Sequence, residues 1–204
     1  MSIVYPEPRL LKILDENHLT VFRSGSWNLN IIGIRSISDK SNSFDDELRV
    51  IFKDDFGRWQ ELAFKITTDP GKYWLENPSR VAGTAILVGN KQYRGVYKIG
   101  KHKGVYEALV QTGGKVSVYR DSNKDTILDH DPENIQRGYF GINIHRSNPK
   151  RESTLVEKWS AGCQVFADPH DFEVFMSICK KAASVYGNSF TYTLLEDSVG
   201  NKIQ

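Results

Sequence analysis

Residues 84–119 read TAILVGNKQYRGVYKIGKHKGVYEALVQTGGKVSVY. Four short apolar runs, TAILV, YRGVYKI, VYEALVQ and KVSVY, are separated by glycines. Repeated short strands joined by glycine turns predict a compact, mainly β architecture. Downstream, Asp168-Pro169 has the form of a helix start, an N-cap residue followed by Pro at the first turn. Phe172, Phe175, Ile178, Cys179 and Ala182 then recur at helical spacing, and Gly187-Asn188 stops the pattern. Residues 189–195 (SFTYTLL) alternate as a final strand.

Upstream, residues 48–53 and 58–66 are β-rich and flank Asp54-Asp55-Phe56-Gly57, which predicts a hairpin. Leu29, Ile31 and Ile32 are strand-like, with Gly33 and Ser36 as punctuation. Residues 67–82 hold two prolines and a glycine and read as a long loop, turning at Asp69-Pro70-Gly71. Leu10, Leu11, Ile13 and Leu14 predict a short N-terminal helix within residues 7–16. The simplest organisation is one domain over residues 1–204. Residues 1–25 form a packed arm, and 84–195 form the core of the chemistry.

Composition narrows the classes. The chain has 204 residues, enough to bury a core without disulfides or metal. Ten Phe, nine Tyr and four Trp are too many for a solvated coil. A formal charge of +2 leaves no electrostatic footprint for nucleic acid. Two cysteines make no disulfide framework. The first residues, MSIVYPEPRLLKILDENH, lack a basic segment followed by an apolar one, so no secretory signal is expected. The longest aliphatic run, Ile31-Ile32-Gly33-Ile34, is far short of a membrane span. Synthesis in the cytoplasm is the expectation.

The chemistry concentrates in residues 138–166, GYFGINIHRSNPKRESTLVEKWSAGCQVF. A strand through Ile142 and Ile144 ends at His145. Fourteen residues later comes Ser160-Ala161-Gly162-Cys163, followed by the apolar run Gln164-Val165-Phe166. A cysteine in a glycine-flanked turn sits at a chain reversal, where backbone N–H groups can face a reacting oxygen. A histidine at a nearby strand end can take the thiol proton. Cys163 and His145 are therefore the candidate nucleophile and base. The N–H groups of Gly162 and Cys163 are candidate oxyanion donors, and Ser160 and Trp159 shape the turn. Thiolate character is expected at Cys163. A buried apolar cysteine and a core histidine are the plainer alternatives at these positions, and for Cys179 the core reading is preferred.

The pattern H-x(14)-S-x-G-C resembles the signature of L,D-transpeptidases with a YkuD-type catalytic domain. His145 matches the leading His, Ser160 the Ser/Thr, Gly162 the glycine and Cys163 the nucleophile. The match covers about thirty residues, and residues 1–80 carry no matching motif. Ala161 departs from the pattern, which has His there, and Gln164-Val165 replaces an apolar residue followed by Arg or Asn. The resemblance implies a β-sandwich catalytic domain with few helices. It implies acyl transfer on peptidoglycan stem peptides, without metal or organic cofactor. In that chemistry the thiolate attacks the carbonyl following the L-centre of a meso-diaminopimelate residue and the terminal D-Ala leaves. An amine or water then resolves the thioester, giving transpeptidase or carboxypeptidase/endopeptidase outcomes that the sequence does not separate. The rival class is a non-catalytic wall-binding or structural module of a phage or injection particle. The expected site of action is the bacterial cell wall or periplasm, by a route the sequence leaves open along with the oligomeric state.

Four further features need a reading. His102 lies in a Gly-bounded loop, where an exposed turn residue is the default. The alternative has it lining the cleft in place of the missing His at 161. Arg146, beside His145, can hold a stem-peptide carboxylate or serve a structural ion pair. Residues 121–131 place oxygen side chains at relative positions 1, 3, 5 and 9, as in a calcium loop. However, Thr126 and Pro132 replace the loop's glycine and terminal Glu, so a solvated acidic turn without metal is expected. His18, His130 and His170 carry no distinguishing context.

Overall fold

The computed structural model describes residues 6–38 and 41–196. The mainly β expectation holds, and the strands fall into two sheets. In chain order the elements are α1 (Arg9–Glu16), β1 (Asn30–Arg35), β2 (Asp46–Lys53), β3 (Trp59–Thr67), α2 (Lys72–Glu76), β4 (Thr84–Leu87) and β5 (Lys91–His102). They continue as β6 (Tyr106–Gln111), β7 (Val116–Asp121), β8 (Gln136–Gly138), β9 (Ile144–Arg146), β10 (Gln164–Phe166), α3 (Pro169–Tyr186) and β11 (Phe190–Glu196).

The larger sheet closes on itself in the order β1-β11-β5-β6-β9-β10-β3-β2. Closure leaves that sheet without free edges. Two of its pairs are parallel, β1 with β11 and β9 with β10, and the rest are antiparallel. β4, β7 and β8 leave the barrel as a separate three-stranded sheet. The four apolar runs of 84–119 are therefore all strands, but they divide between two sheets.

The main core gathers Ile31, Leu48, Tyr97, Leu109, Ile144 and Phe166 from the barrel. It also takes Phe172, Phe175, Met176, Cys179 and Ala182 from α3. The ends of α3 are set as the sequence predicts. The Asp168 side chain accepts the His170 N–H at 2.7 Å, Pro169 sits in the first turn, and Gly187 caps the helix at φ 84°. α1 buries Leu10, Leu11, Ile13 and Leu14 against Ile32, Ile51 and Leu195. Each such aliphatic is worth about 1.5–3 kcal/mol when fully buried. Residues 1–5 of the expected arm lie outside the described residues.

Residues 67–82 are not loop throughout, since α2 occupies five of them. Its Leu75 is fully buried and packs with Ile86 and Leu128, so an apolar anchor fixes a helix too short to show periodicity. A buried polar knot holds the chain just before it. Arg35 donates to the Thr68 hydroxyl at 2.9 Å and to the Leu87 carbonyl at 2.9 Å, and makes an ionic contact with Asp69 at 3.0 Å. Asp46 accepts the Thr68 N–H and hydroxyl at 2.6 and 2.8 Å. α2 is thereby held beside β4 of the smaller sheet. Among the described residues, no helix is long and apolar enough to cross a membrane.

Candidate active site

The parallel pair β9–β10 builds the site. Gln164 lies opposite Ile144, and Val165 opposite His145. Ile144 and Phe166 point into the main core. Strand alternation then turns Asn143, His145 and Val165 to the outer face. Cys163, just before β10, joins that face and packs against the small cluster of Phe44, Val156, Val165 and Ala167.

A cavity of about 300 Å³ opens there, walled by Cys163, His145, His102 and Asn143 together with Trp74, Lys103, Lys158, Trp159, Phe140 and Ala161. The two expected catalytic residues share this one cleft. They are not hydrogen-bonded to each other. The Cys163 Sγ accepts from the Asn143 N–H at 3.4 Å and donates to the Gly141 carbonyl at 3.4 Å. Burial raises the thiol pKa, partly opposed by the Asn143 N–H and the charge of Lys103. This desolvation runs against the thiolate character expected from the sequence, so ionising the sulfur takes a base.

His145 is buried, and burial with the neighbouring His102 drives its pKa down to about 3. It is therefore neutral at ordinary pH. Its Nδ1 lies 2.8 Å from the Arg146 carbonyl, which can only accept, so Nδ1 carries the proton. The base is then Nε2. Tyr106 donates to the same carbonyl at 3.2 Å, and its oxygen lies 3.2 Å from the His145 Nδ1, placed to share that N–H. Burial pushes the Tyr106 hydroxyl up to about 12, so it remains a donor.

His102 corrects the exposed-turn reading. It ends β5, is buried, and stacks on His145 with ring centroids 4.0 Å apart. The turn after it, Lys103-Gly104, has positive φ at both residues and folds the hairpin so that His102 faces inward. The Asn143 amide explains its tautomer. Asn143 Oδ1 accepts the Gln111 N–H at 2.9 Å, so Nδ2 must donate to His102 Nδ1 at 3.0 Å, leaving the His102 proton on Nε2. Burial, with Lys103 and Arg146, lowers the His102 pKa to about 4.

Ser160 is a clamp on the turn. Its hydroxyl donates to the Cys163 carbonyl at 2.9 Å and accepts the Gly162 N–H at 3.1 Å. The Gly162 N–H is therefore occupied and drops out as an oxyanion donor. The Cys163 N–H has no protein acceptor among the described residues and remains available. Gly162 has φ 109°, and a Cβ there would collide with the Ala85 carbonyl, so the glycine is required by backbone shape and by space. Gln164 is wholly buried, and its Oε1 accepts the Tyr192 hydroxyl at 2.8 Å. It ties the turn to the barrel interior.

Arg146 does not wall the cleft. Its guanidinium lies 4.2 Å over the Tyr106 ring and donates to the Ser147 carbonyl at 3.3 Å. The acidic loop is only partly a surface turn: Asp121 is fully buried at the end of β7 and Leu128 is buried beneath the loop. Burial raises Asp121 to about 6. Among the described residues no group of His, Cys, Asp and Glu side chains is gathered as a metal centre.

Asn143 and Trp74 were missed in the sequence. Asn143 was findable, because it precedes His145 by two on a strand and must share its face. Trp74 was not, since only the tertiary path of 67–82 brings it to the wall of the Cys163 cleft. No family model, curated protein or solved structure matches the chain significantly.

Proposed function

We propose that this cleft is the active site of a cysteine-dependent acyl transferase acting on peptidoglycan stem peptides, of the L,D-transpeptidase or L,D-carboxypeptidase/endopeptidase type. The single observation that carries the reading is the shared cavity. A neutral, buried His145 with its Nδ1–H tied to a carbonyl opens onto the same space as Cys163. The resemblance of His145…Ser160-x-Gly162-Cys163 to the YkuD-type signature supplies the substrate class. The mainly β fold is compatible with such a catalytic domain.

In this reading the residues act in sequence. Cys163 yields its proton to His145 Nε2 as substrate enters, and the sulfur attacks the peptide carbonyl. In this reading the Cys163 N–H, which has no protein acceptor among the described residues, donates to the developing oxyanion. His145 returns the proton to the leaving amine, and a thioester remains. A second amine or a water then attacks, yielding its proton to His145 and releasing the thiolate. His102 supplies a second imidazole, stacked on that of His145.

Intact-protein mass spectrometry after incubation with tetrapeptide-stem muropeptides tests the reading. A thioester adduct that maps to Cys163, with cross-linked or trimmed product, is expected. Binding of muropeptides without adduct or product would favour the rival wall-binding module.

A further inference from the structure

Beside the cleft lies a second cavity of about 100 Å³, lined by Arg80, Arg120, Ser79, Gly83, Thr84 and Ala85 with Trp74, Phe140 and Ala161. The last three also wall the Cys163 cleft. Ala161 stands where the resembling motif has a histidine, and with Trp74 and Phe140 it borders both spaces.

The charge in this second cavity is uncompensated. Arg120 is only 6% exposed. Its Nε donates to the Gln136 amide oxygen at 3.0 Å, its Nη1 to the Gly83 carbonyl at 3.2 Å, and it lies 4.6 Å from the Phe140 ring centroid. All of these partners are neutral. No carboxylate pairs with Arg120 or Arg80 among the described residues, and the Arg120 Nη2 has no protein acceptor there. The charge nearest in effect is another cation, Arg80, which together with burial lowers the Arg120 pKa. A buried guanidinium ordinarily has an anionic partner, because desolvating a lone charge is costly. The other buried arginine of the fold, Arg35, has Asp69.

We propose that Arg80 and Arg120 form a carboxylate-binding subsite of the cleft, recognising an anionic group on the peptide whose carbonyl meets Cys163. The inference deepens the acyl-transfer reading and rests on it for the identity of the peptide. Arg120 is pre-oriented by its two neutral acceptors and presents its remaining N–H groups, while exposed Arg80 closes on the carboxylate from the mouth. Recognition of this kind is worth about ten- to a hundredfold for a charge-assisted contact. It assigns to these arginines the role that the sequence offered to Arg146.

The test uses alkylation of Cys163 by two probes, bromoacetyl-D-alanine and bromoacetyl-D-alaninamide, which differ by one carboxylate. In each the C–S bond forms as C–Br breaks, bromide leaves, and the thiol proton passes to His145 and solvent. The acid-to-amide rate ratio is expected to be about tenfold in favour of the acid and to fall towards unity in Arg80→Ala. Arg120→Gln should lower it further, with Arg80→Ala serving should the buried change disturb folding. A ratio near unity in the native protein, or one that falls in Lys103→Gln or Lys158→Gln but not in Arg80→Ala, overturns the subsite. The readout does not require stem peptides, so loss of the muropeptide reaction with the ratio preserved would sink the acyl-transfer reading alone. Stem tetrapeptides amidated either at the C-terminus or at the internal side-chain carboxylate then identify which carboxylate is held.

Discussion

Two cysteines lie in two regions of this molecule, and burial raises the pKa of both. Around Cys179, on α3, the surroundings are apolar and burial is the sole influence on its thiol. Around Cys163 the same desolvation is opposed by a backbone N–H and a nearby lysine charge, and a neutral imidazole shares the cavity. Burial alone makes a cysteine inert, whereas a buried cysteine beside a backbone N–H, a lysine charge and a neutral imidazole has groups at hand that favour its ionised form. The raised resting pKa at Cys163 is thus compatible with a nucleophile, provided that the proton acceptor is built in.

The sharpest break of that comparison is by labelling. Cys163→Ala should abolish every acyl adduct and every adduct of small alkylating reagents on the folded protein, leaving Cys179 unmodified. Peptide mapping checks it, and native-state label on Cys179 would dissolve the distinction between the regions.

His145→Ala comes next, because it removes the group that distinguishes one thiol from the other. Loss of a general base typically costs about 10²–10⁴ in rate, read here as the rate of Cys163 acylation. The pH profile sharpens it. With His145 held at about 3 and His102 at about 4, the acid limb of the wild-type rate should lie near these values rather than near 6.5. The stability trace runs the same way. Between 6.5 and about 3 the unfolded chain binds protons that the folded imidazole refuses, so this contribution to stability shrinks as pH falls through that window. His145→Ala should flatten that slope, measured as Tm against pH. An unchanged acylation rate in this variant would mean that another group takes the thiol proton.

Much of this was legible beforehand, for a physical reason that also marks where legibility ends. The ends of α3, the hairpin at 54–57 and the 84–119 strands are local patterns, and local patterns survive in the sequence. The outward face of β9 was legible in the same way, by alternation through Asn143 and His145. His102 was misread because its burial depends on the hairpin folding it back onto His145, a residue distant along the chain. The Gly162 N–H was misassigned because the competing acceptor, the Ser160 hydroxyl, is decided by a rotamer. α2 was hidden because a five-residue helix held by one buried leucine has no period to display.

A third effect is expected at the turn that carries the reactive region. Gly162→Ala forces a Cβ against the Ala85 carbonyl at φ 109°. Strain of this sort costs about 1–3 kcal/mol, or the turn must move. Either outcome should lower Tm by several degrees or slow Cys163 acylation by more than about tenfold while leaving the environment of Cys179 unaltered. Circular dichroism melts together with the alkylation rate read both. Native stability and an undiminished rate in Gly162→Ala would remove the steric argument for this glycine.

The smallest effect belongs to Tyr106→Phe. The Arg146 carbonyl accepts from both the Tyr106 hydroxyl and the His145 Nδ1–H, and the imidazole contact is the shorter, 2.8 against 3.2 Å. Removing the hydroxyl leaves that carbonyl with the imidazole as its remaining side-chain donor, so the Nδ1–H tautomer and the free Nε2 should persist. The ring stays to pack on Phe172 and under Arg146. A lost neutral hydrogen bond is worth about 0.5–1.5 kcal/mol, which limits the change in acylation rate to roughly tenfold and the change in Tm to a few degrees. The imidazole nitrogen shifts of His145 in a two-dimensional NMR spectrum report the tautomer directly, and they should be those of an Nδ1–H ring in both proteins. A switch to the Nε2–H form in Tyr106→Phe, with a rate loss approaching that of His145→Ala, would show that the tyrosine rather than the backbone carbonyl sets the base, and would move the distinction between the two thiols from the strand to β6.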